Sequence, residues 1–266
     1  MKKYLKIIFC LGCGLILMLG SRDAGAYTLS PTWNNTGMYA QAFLGPKAGT
    51  TTEYTNWHAH MENVDGSNSA SSDWSISLLP ITETWGPDGK TTTMGQRIDT
   101  ELSANLVSTT ATLGYSGFIH NGFAISADSL PPLTTPLVDI TVTWGGEVKP
   151  SWASAQIALK EIHDGGTFVN IIPNTNVNFS SPGNQQTFQV VLPEMGPDYF
   201  LTLSLWDQVT WSTLGEHETG MWISMTMSVT EPMDPPYTTP LPGTLALLGS
   251  GLTALMAGVR WGKKYR

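Results

Sequence analysis

The chain has 266 residues, with 13 basic and 21 acidic side chains and a net charge of −8, long enough for one sizeable core or two small ones. Eight of the bases fall in the first 26 and last seven positions, so residues 27–240 keep five bases against 20 acids. A surface that acidic repels phosphate backbones, which argues against a nucleic-acid partner, and it could attract divalent cations such as calcium.

Lys2, Lys3 and Lys6 precede an apolar run from Ile7 to Leu19 and then the small residues Ala24, Gly25 and Ala26. A basic start, an apolar stretch too short for a stable span and an Ala-x-Ala end make a secretory signal peptide over residues 1–26, with signal peptidase expected to cut between Ala26 and Tyr27. Cys10-Leu11-Gly12-Cys13 loosely resembles a lipobox, but only about six apolar residues would precede the cut at Cys13. Both cysteines lie in this segment, so the mature domain is expected to hold no disulfide and to ignore reductants.

From residue 27 to 232 Gly, Pro, Ser, Thr and Asn interrupt the chain at intervals of roughly eight to twelve residues, and apolar residues alternate between the breaks. The pattern predicts an all-β fold, an antiparallel β-sandwich of jelly-roll or Greek-key type. Residues 27–130 read as less regular, with a long loop from Asp65 to Asp73, and leave room for a second small domain. Strands read clearly at Val138-Ile140-Val142-Trp144, Phe188-Val190-Leu192, Tyr199-Leu201-Leu203-Leu205 and Met221 to Thr230. Ser154 to Ile162 has the propensity for a short helix but is assigned a strand. Breaks are expected at Pro131-Pro132, Pro150, Asn174, Pro182-Gly183 and Gly196-Pro197, where hairpins or crossings need them.

His58 and His60 share one face of a predicted strand with Glu62, while Trp57, Ala59 and Met61 face the core. The two imidazoles are a weak metal candidate, since Glu62 lies roughly 13 Å from His58 along a strand. A predicted loop from Trp206 to Glu218 holds Trp206, Asp207, Trp211, Glu216 and Glu218, whose rings could stack on sugars and whose carboxylates could take hydroxyls or calcium. Neither a nucleophile elbow, a His-Glu-x-x-His zinc motif, a phosphate loop nor a dinucleotide fingerprint is present. The expectation is a non-catalytic protein that needs no cofactor and binds polysaccharide or divalent cations. The alternative is a secreted carbohydrate-active enzyme that uses a carboxylate pair.

Residues 233–240 form a Pro/Thr linker. Residues 241–259 are uncharged, roughly 28 Å long as a helix, and match a hydrocarbon core. Arg260, Lys263, Lys264 and Arg266 then make a basic tail over residues 260–266, which sets the orientation N-out, C-in. Pro240-Leu241-Pro242-Gly243-Thr244, the apolar span and this tail together resemble the PEP-CTERM sorting signal, with Leu241 standing where that family usually has Glu. The resemblance implies a passing stay in the inner membrane, processing by an exosortase-like protease near the motif, and delivery to the cell surface or an exopolysaccharide matrix.

Overall fold

Val138, Ile140 and Val142 alternate with polar neighbours, as do Leu201, Leu203 and Leu205, and each of these six is 1% exposed or less. A strand with that period must bury one face, and two such sheets bury theirs against each other. The computed structural model describes residues 27–232 except 56, 87–88, 128–135, 147–151, 164–165 and 193–197. Among the described residues the strands are β1 (Tyr27–Leu44), β2 (Lys47–Ala48), β3 (Thr50–Tyr54), β4 (His58–Asp65), β5 (Asn68–Gly86), β6 (Gly89–Leu106), β7 (Ala111–Ala127), β8 (Leu137–Gly146), β9 (Trp152–His163), β10 (Thr167–Asn176), β11 (Gln185–Val191), β12 (Asp198–Trp211) and β13 (Gly215–Pro232).

They form an antiparallel sandwich. Sheet A runs β10-β9-β12-β7-β1-β2 and sheet B runs β11-β8-β13-β6-β5-β4-β3. From β6 onward each successive strand changes sheet except at the β9–β10 hairpin, so neighbours within a sheet come from distant parts of the sequence. The core between the sheets joins Trp74, Ile98, Ile119, Phe123, Leu203, Ile223 and Met225 with their neighbours. A smaller cluster at one end holds Leu44, Leu102, Leu106 and Leu113.

The expected break at Pro182-Gly183 falls on a single 3-10 turn between β10 and β11, and Ser154 to Ile162 lies within β9 as a strand. The expected break at Asn174 does not end a strand: it lies within β10, at a register shift between Ile172 and Thr175 that bends the strand without interrupting it. Three further sequence expectations need correction. Asp65 to Asp73 is no long loop: β4 and β5 run through it and turn only at Gly66-Ser67, with Gly66 at φ +64°. Residues 27–130 are as regular as the rest, carrying the long strands β1, β5, β6 and β7, and all described strands but the last residue of β13 belong to one compact unit. Trp57 does not face the core; it sits 36% exposed at the bend before β4, while Ala59 is fully buried. No helix among the described residues is long and apolar enough to cross a membrane. Ala24, Ala26 and the sorting segment Pro240, Leu241, Pro242, Gly243, Thr244, Arg260, Lys263, Lys264 and Arg266 lie outside the described residues, as do the breaks at Pro131-Pro132, Pro150 and Gly196-Pro197.

Candidate functional site

Because Leu201, Leu203 and Leu205 point inward, the residues between them on β12 point to solvent. The registers of sheet A set these residues in rows. Gly122 on β7 lies opposite both Trp33 and Phe200, and Phe200 lies opposite Lys160. Two residues on, His120 is opposite Asn35 and Thr202; then Phe118 is opposite Gly37 and Ser204; then Ser116 is opposite Tyr39 and Trp206. Two of these rings rest on glycine. The pyrrole ring of Trp33 covers Gly122 and the Phe118 ring covers Gly37, so closely that a Cβ at either glycine would overlap the ring.

The outcome is an aromatic platform on the solvent face of sheet A. Phe200 stands at its centre, with ring centroids 5.6 Å from Trp33, 5.2 Å from Phe168 and 5.7 Å from His120. Phe118 extends the group from His120 at 5.0 Å. Although it points outward, Phe200 is only 5% exposed because its neighbours cover it, whereas Trp33 is 37% and Phe168 57% exposed. A second group, Tyr39 and Tyr115 with rings 4.9 Å apart, lies six strand steps from Trp33, or about 20 Å. Hydroxyl and amide groups line the stretch between: Asn35, Thr202, Ser204 and the Gln156–Asn176 side-chain pair at 2.9 Å. The Thr202 hydroxyl is buried with no hydrogen-bond partner among the described residues.

Burial first, and then the positive charge of Lys160, push the His120 imidazole below its ordinary pKa. Neutral His120 therefore acts at pH 7 as an aromatic surface and hydrogen-bonding group.

Of the loop residues singled out from the sequence, Trp206 to Trp211 belong to β12 and Gly215 to Glu218 to β13, leaving only a short turn between. Trp206 lies on the same face of sheet A as Tyr39. Asp207 points the other way, into the sandwich, where it is 9% exposed and accepts a 3.0 Å hydrogen bond from the Thr100 hydroxyl of sheet B. Burial pushes the Asp207 carboxyl above the usual carboxylate range, against the opposing pull of the Thr100 hydroxyl and the Gln208 backbone N–H. Between the unfolded and the raised folded pKa, the folded state keeps a proton that the unfolded chain has released, so stability falls as pH rises through that window. Asp207→Asn is expected to remove this penalty and raise the melting temperature by a few degrees at pH 8, with a smaller gain at pH 4. Melting curves at the two pH values check it; no gain at pH 8 would contradict a buried carboxylate.

Trp211 stacks on His217 with centroids 5.2 Å apart. Glu216 and Glu218 meet Glu62, Ser71, Ser103 and Asn105 around an open cleft of about 440 Å³. Glu62 thus joins the two β13 carboxylates. His58 and His60 instead share Asp73 on β5, with His58 Nε2 at 3.0 Å and His60 Nδ1 at 2.8 Å from its two oxygens. No group of three or more His, Cys, Asp or Glu suited to a metal ion is found among the described residues.

The molecule is thus an antiparallel β-sandwich with an aromatic, hydroxyl-lined platform on one open sheet face. No protein-family model matches the sequence, and no curated protein matches it. Among solved structures it is similar to a carbohydrate-binding module of the β-sandwich superfamily, at 10% identity, covering 76% of this chain and 97% of that one, with a TM-score of 0.27. A family 11 carbohydrate-binding module from Clostridium thermocellum, in complex with a mixed-linked tetrasaccharide, matches at 8% identity, 74% and 99% coverage and a TM-score of 0.24. A xylan-binding module matches at 13% identity, 65% and 97% coverage and 0.22. These superpositions are loose, so the likenesses carry no argument about this chain's ligand.

Proposed function

We propose that the domain is a non-catalytic polysaccharide-binding sandwich, and that sheet A's solvent face is its binding surface. One observation carries the reading: Trp33, Phe118, His120, Phe168 and Phe200, from four different strands, form a contiguous surface on a face that folding did not need to cover. Apolar rings presented to water are unfavourable unless something covers them. Sugar rings suit the task, because their C–H faces pack on aromatic faces while Asn35, Ser204 and Gln156 can take hydroxyls. The face is open and about 20 Å from end to end, a shape for an extended polymer.

Retention of the protein on a panel of immobilised or gel-embedded polysaccharides tests this. Trp33→Ala and Phe168→Ala, both at exposed rings, should each weaken binding about tenfold while the circular dichroism spectrum is kept. Undiminished retention in both variants would dismiss the platform as the site. If the chain is instead a carbohydrate-active enzyme, its carboxylate pair has a place among Glu62, Glu216 and Glu218. Reducing ends released by the wild type and lost in Glu216→Gln or Glu218→Gln would establish that alternative.

Export and surface sorting belong to the same proposal. They are supported by the Ala24-Gly25-Ala26 cleavage pattern and by the resemblance of residues 240–266 to a PEP-CTERM signal. N-terminal sequencing of envelope material should begin at Tyr27; a lipid-bearing start at Cys13 would support the lipobox instead.

A further inference from the structure

With so few bases in an acidic domain, each described cation should find a carboxylate. Lys47 pairs with Asp65 at 2.5 Å, Lys90 with Glu83 at 2.6 Å and Arg97 with Asp99 at 2.5 Å. Lys160 is the exception: among the described residues no carboxylate pairs with it, and its ammonium lies 5.5 Å over the Phe200 ring at the centre of the platform. Its chain neighbour Glu161 points inward and is 4% exposed.

The acids are distributed to match. On the strands of sheet A they are Glu161, Asp198 and Asp207, of which only Asp198, at the start of β12, is exposed. Sheet B's strands carry most of the others on or near their outward face, including Glu62, Asp73, Asp99, Glu101 and Glu218. These sheet B side chains point to solvent on the far side of the sandwich, where water and salt, with a screening length of about 8 Å at physiological ionic strength, reduce their field over sheet A. An anion approaching sheet A meets aromatic rings, amides, the exposed Asp198 carboxylate two residues before Phe200 on β12, and the Lys160 ammonium, with which no carboxylate pairs among the described residues.

From this placement we infer that the platform selects an acidic polysaccharide, one whose sugars carry carboxylates as uronic acids do, with Lys160 reading the charge. The inference rests on the polysaccharide reading and deepens it. A sugar stacked on Trp33 or Phe168 brings its ring substituents toward Phe200, over which the ammonium stands. The aromatic ring below Lys160 leaves its N–H donors to face the ligand. A lone lysine at an open face adds a modest Coulombic term, so it biases choice among polymers that the rings already hold.

The experiment compares a glucuronate-bearing polysaccharide with the same polymer after its carboxyl groups have been reduced to alcohols. The mature protein should bind the acidic form roughly twofold to fivefold tighter, and added salt should erase the difference. Lys160→Gln should bind both forms alike and match the wild type on the reduced polymer, while Lys160→Arg should keep the preference. Equal binding of both forms by the wild type, or a preference for the reduced one, overturns acid selection and leaves the polysaccharide reading standing. Equal loss of both polymers in Lys160→Gln overturns its charge-reading role. Binding of neither polymer by the wild type overturns acid selection; retention on no member of the wider polysaccharide panel overturns the polysaccharide reading as well, and capture on phosphatidylglycerol vesicles would then identify an anionic lipid surface as the occupant.

Discussion

Truncating Trp74 to alanine should cost the domain about 3–5 kcal/mol, a loss readable as a lower urea midpoint at unchanged slope. Trp74 is fully buried on β5, and its indole N–H donates to the buried Ser72 hydroxyl at 3.1 Å. Its ring reaches across to sheet A, where Gly117 leaves room: a Cβ there would lie 3.2 Å from the ring and 3.6 Å from Ile98. Alanine therefore opens a cavity between the sheets and leaves the Ser72 hydroxyl without its indole partner, two costs that add. Ile223→Ala, also at a fully buried position, should cost about 2–5 kcal/mol. Its neighbour Ser224, on the opposite face of the strand, is buried at 8% exposure but its hydroxyl makes only a long 3.4 Å bond to the Gln96 carbonyl, so Ser224→Ala should cost about 1 kcal/mol or less. Equal losses at 223 and 224, or a Trp74 loss under about 1 kcal/mol, would break the assignment of faces.

The sandwich was legible in the sequence where one strand face is apolar and the other polar, as from Met221 to Thr230. It was illegible where both faces are polar. Along β5 the inward positions include Asn68 and Ser72, and the outward ones Ser69, Ser71 and Asp73, so no apolar period shows and the stretch reads as a loop. The buried amide and hydroxyl are satisfied by partners invisible to a local reading: Asn68 takes Ser108 and the backbone N–H groups of Val107 and Ser108, and Ser72 takes Trp74. Asp207 misleads in the same way, because a carboxylate at an inward position masks the strand that contains it. The aromatic platform had no single sequence signature, since registers and crossings between sheets bring its members together from β1, β7, β10 and β12. One local hint exists at Tyr199-Phe200-Leu201, where a strand is apolar on both faces although one of them is open to water.

Gly114→Ala is expected to destabilise sheet A by at least about 3 kcal/mol, although it adds a single methyl group. Gly114 sits within β7, opposite Gln41 on β1 and Gln208 on β12, at φ +113°, a backbone conformation that L residues rarely adopt. A Cβ there would also overlap the backbone carbonyl of Asp207, which no side-chain rotation can relieve. Either β12 shifts away from β7, breaking ladder hydrogen bonds in the middle of the sheet, or the substituted residue holds a strained backbone. Gly166 separates the two causes. It turns the β9–β10 hairpin at φ +75°, and a methyl group there would meet nothing within 4 Å, so Gly166→Ala should cost only the conformational penalty, about 1 kcal/mol. Matched urea titrations give both values, and the difference between them measures the close approach of β7 to β12. A Gly114→Ala loss no larger than that of Gly166→Ala would mean that the two strands have room for the methyl group, and that positive φ alone explains the glycine.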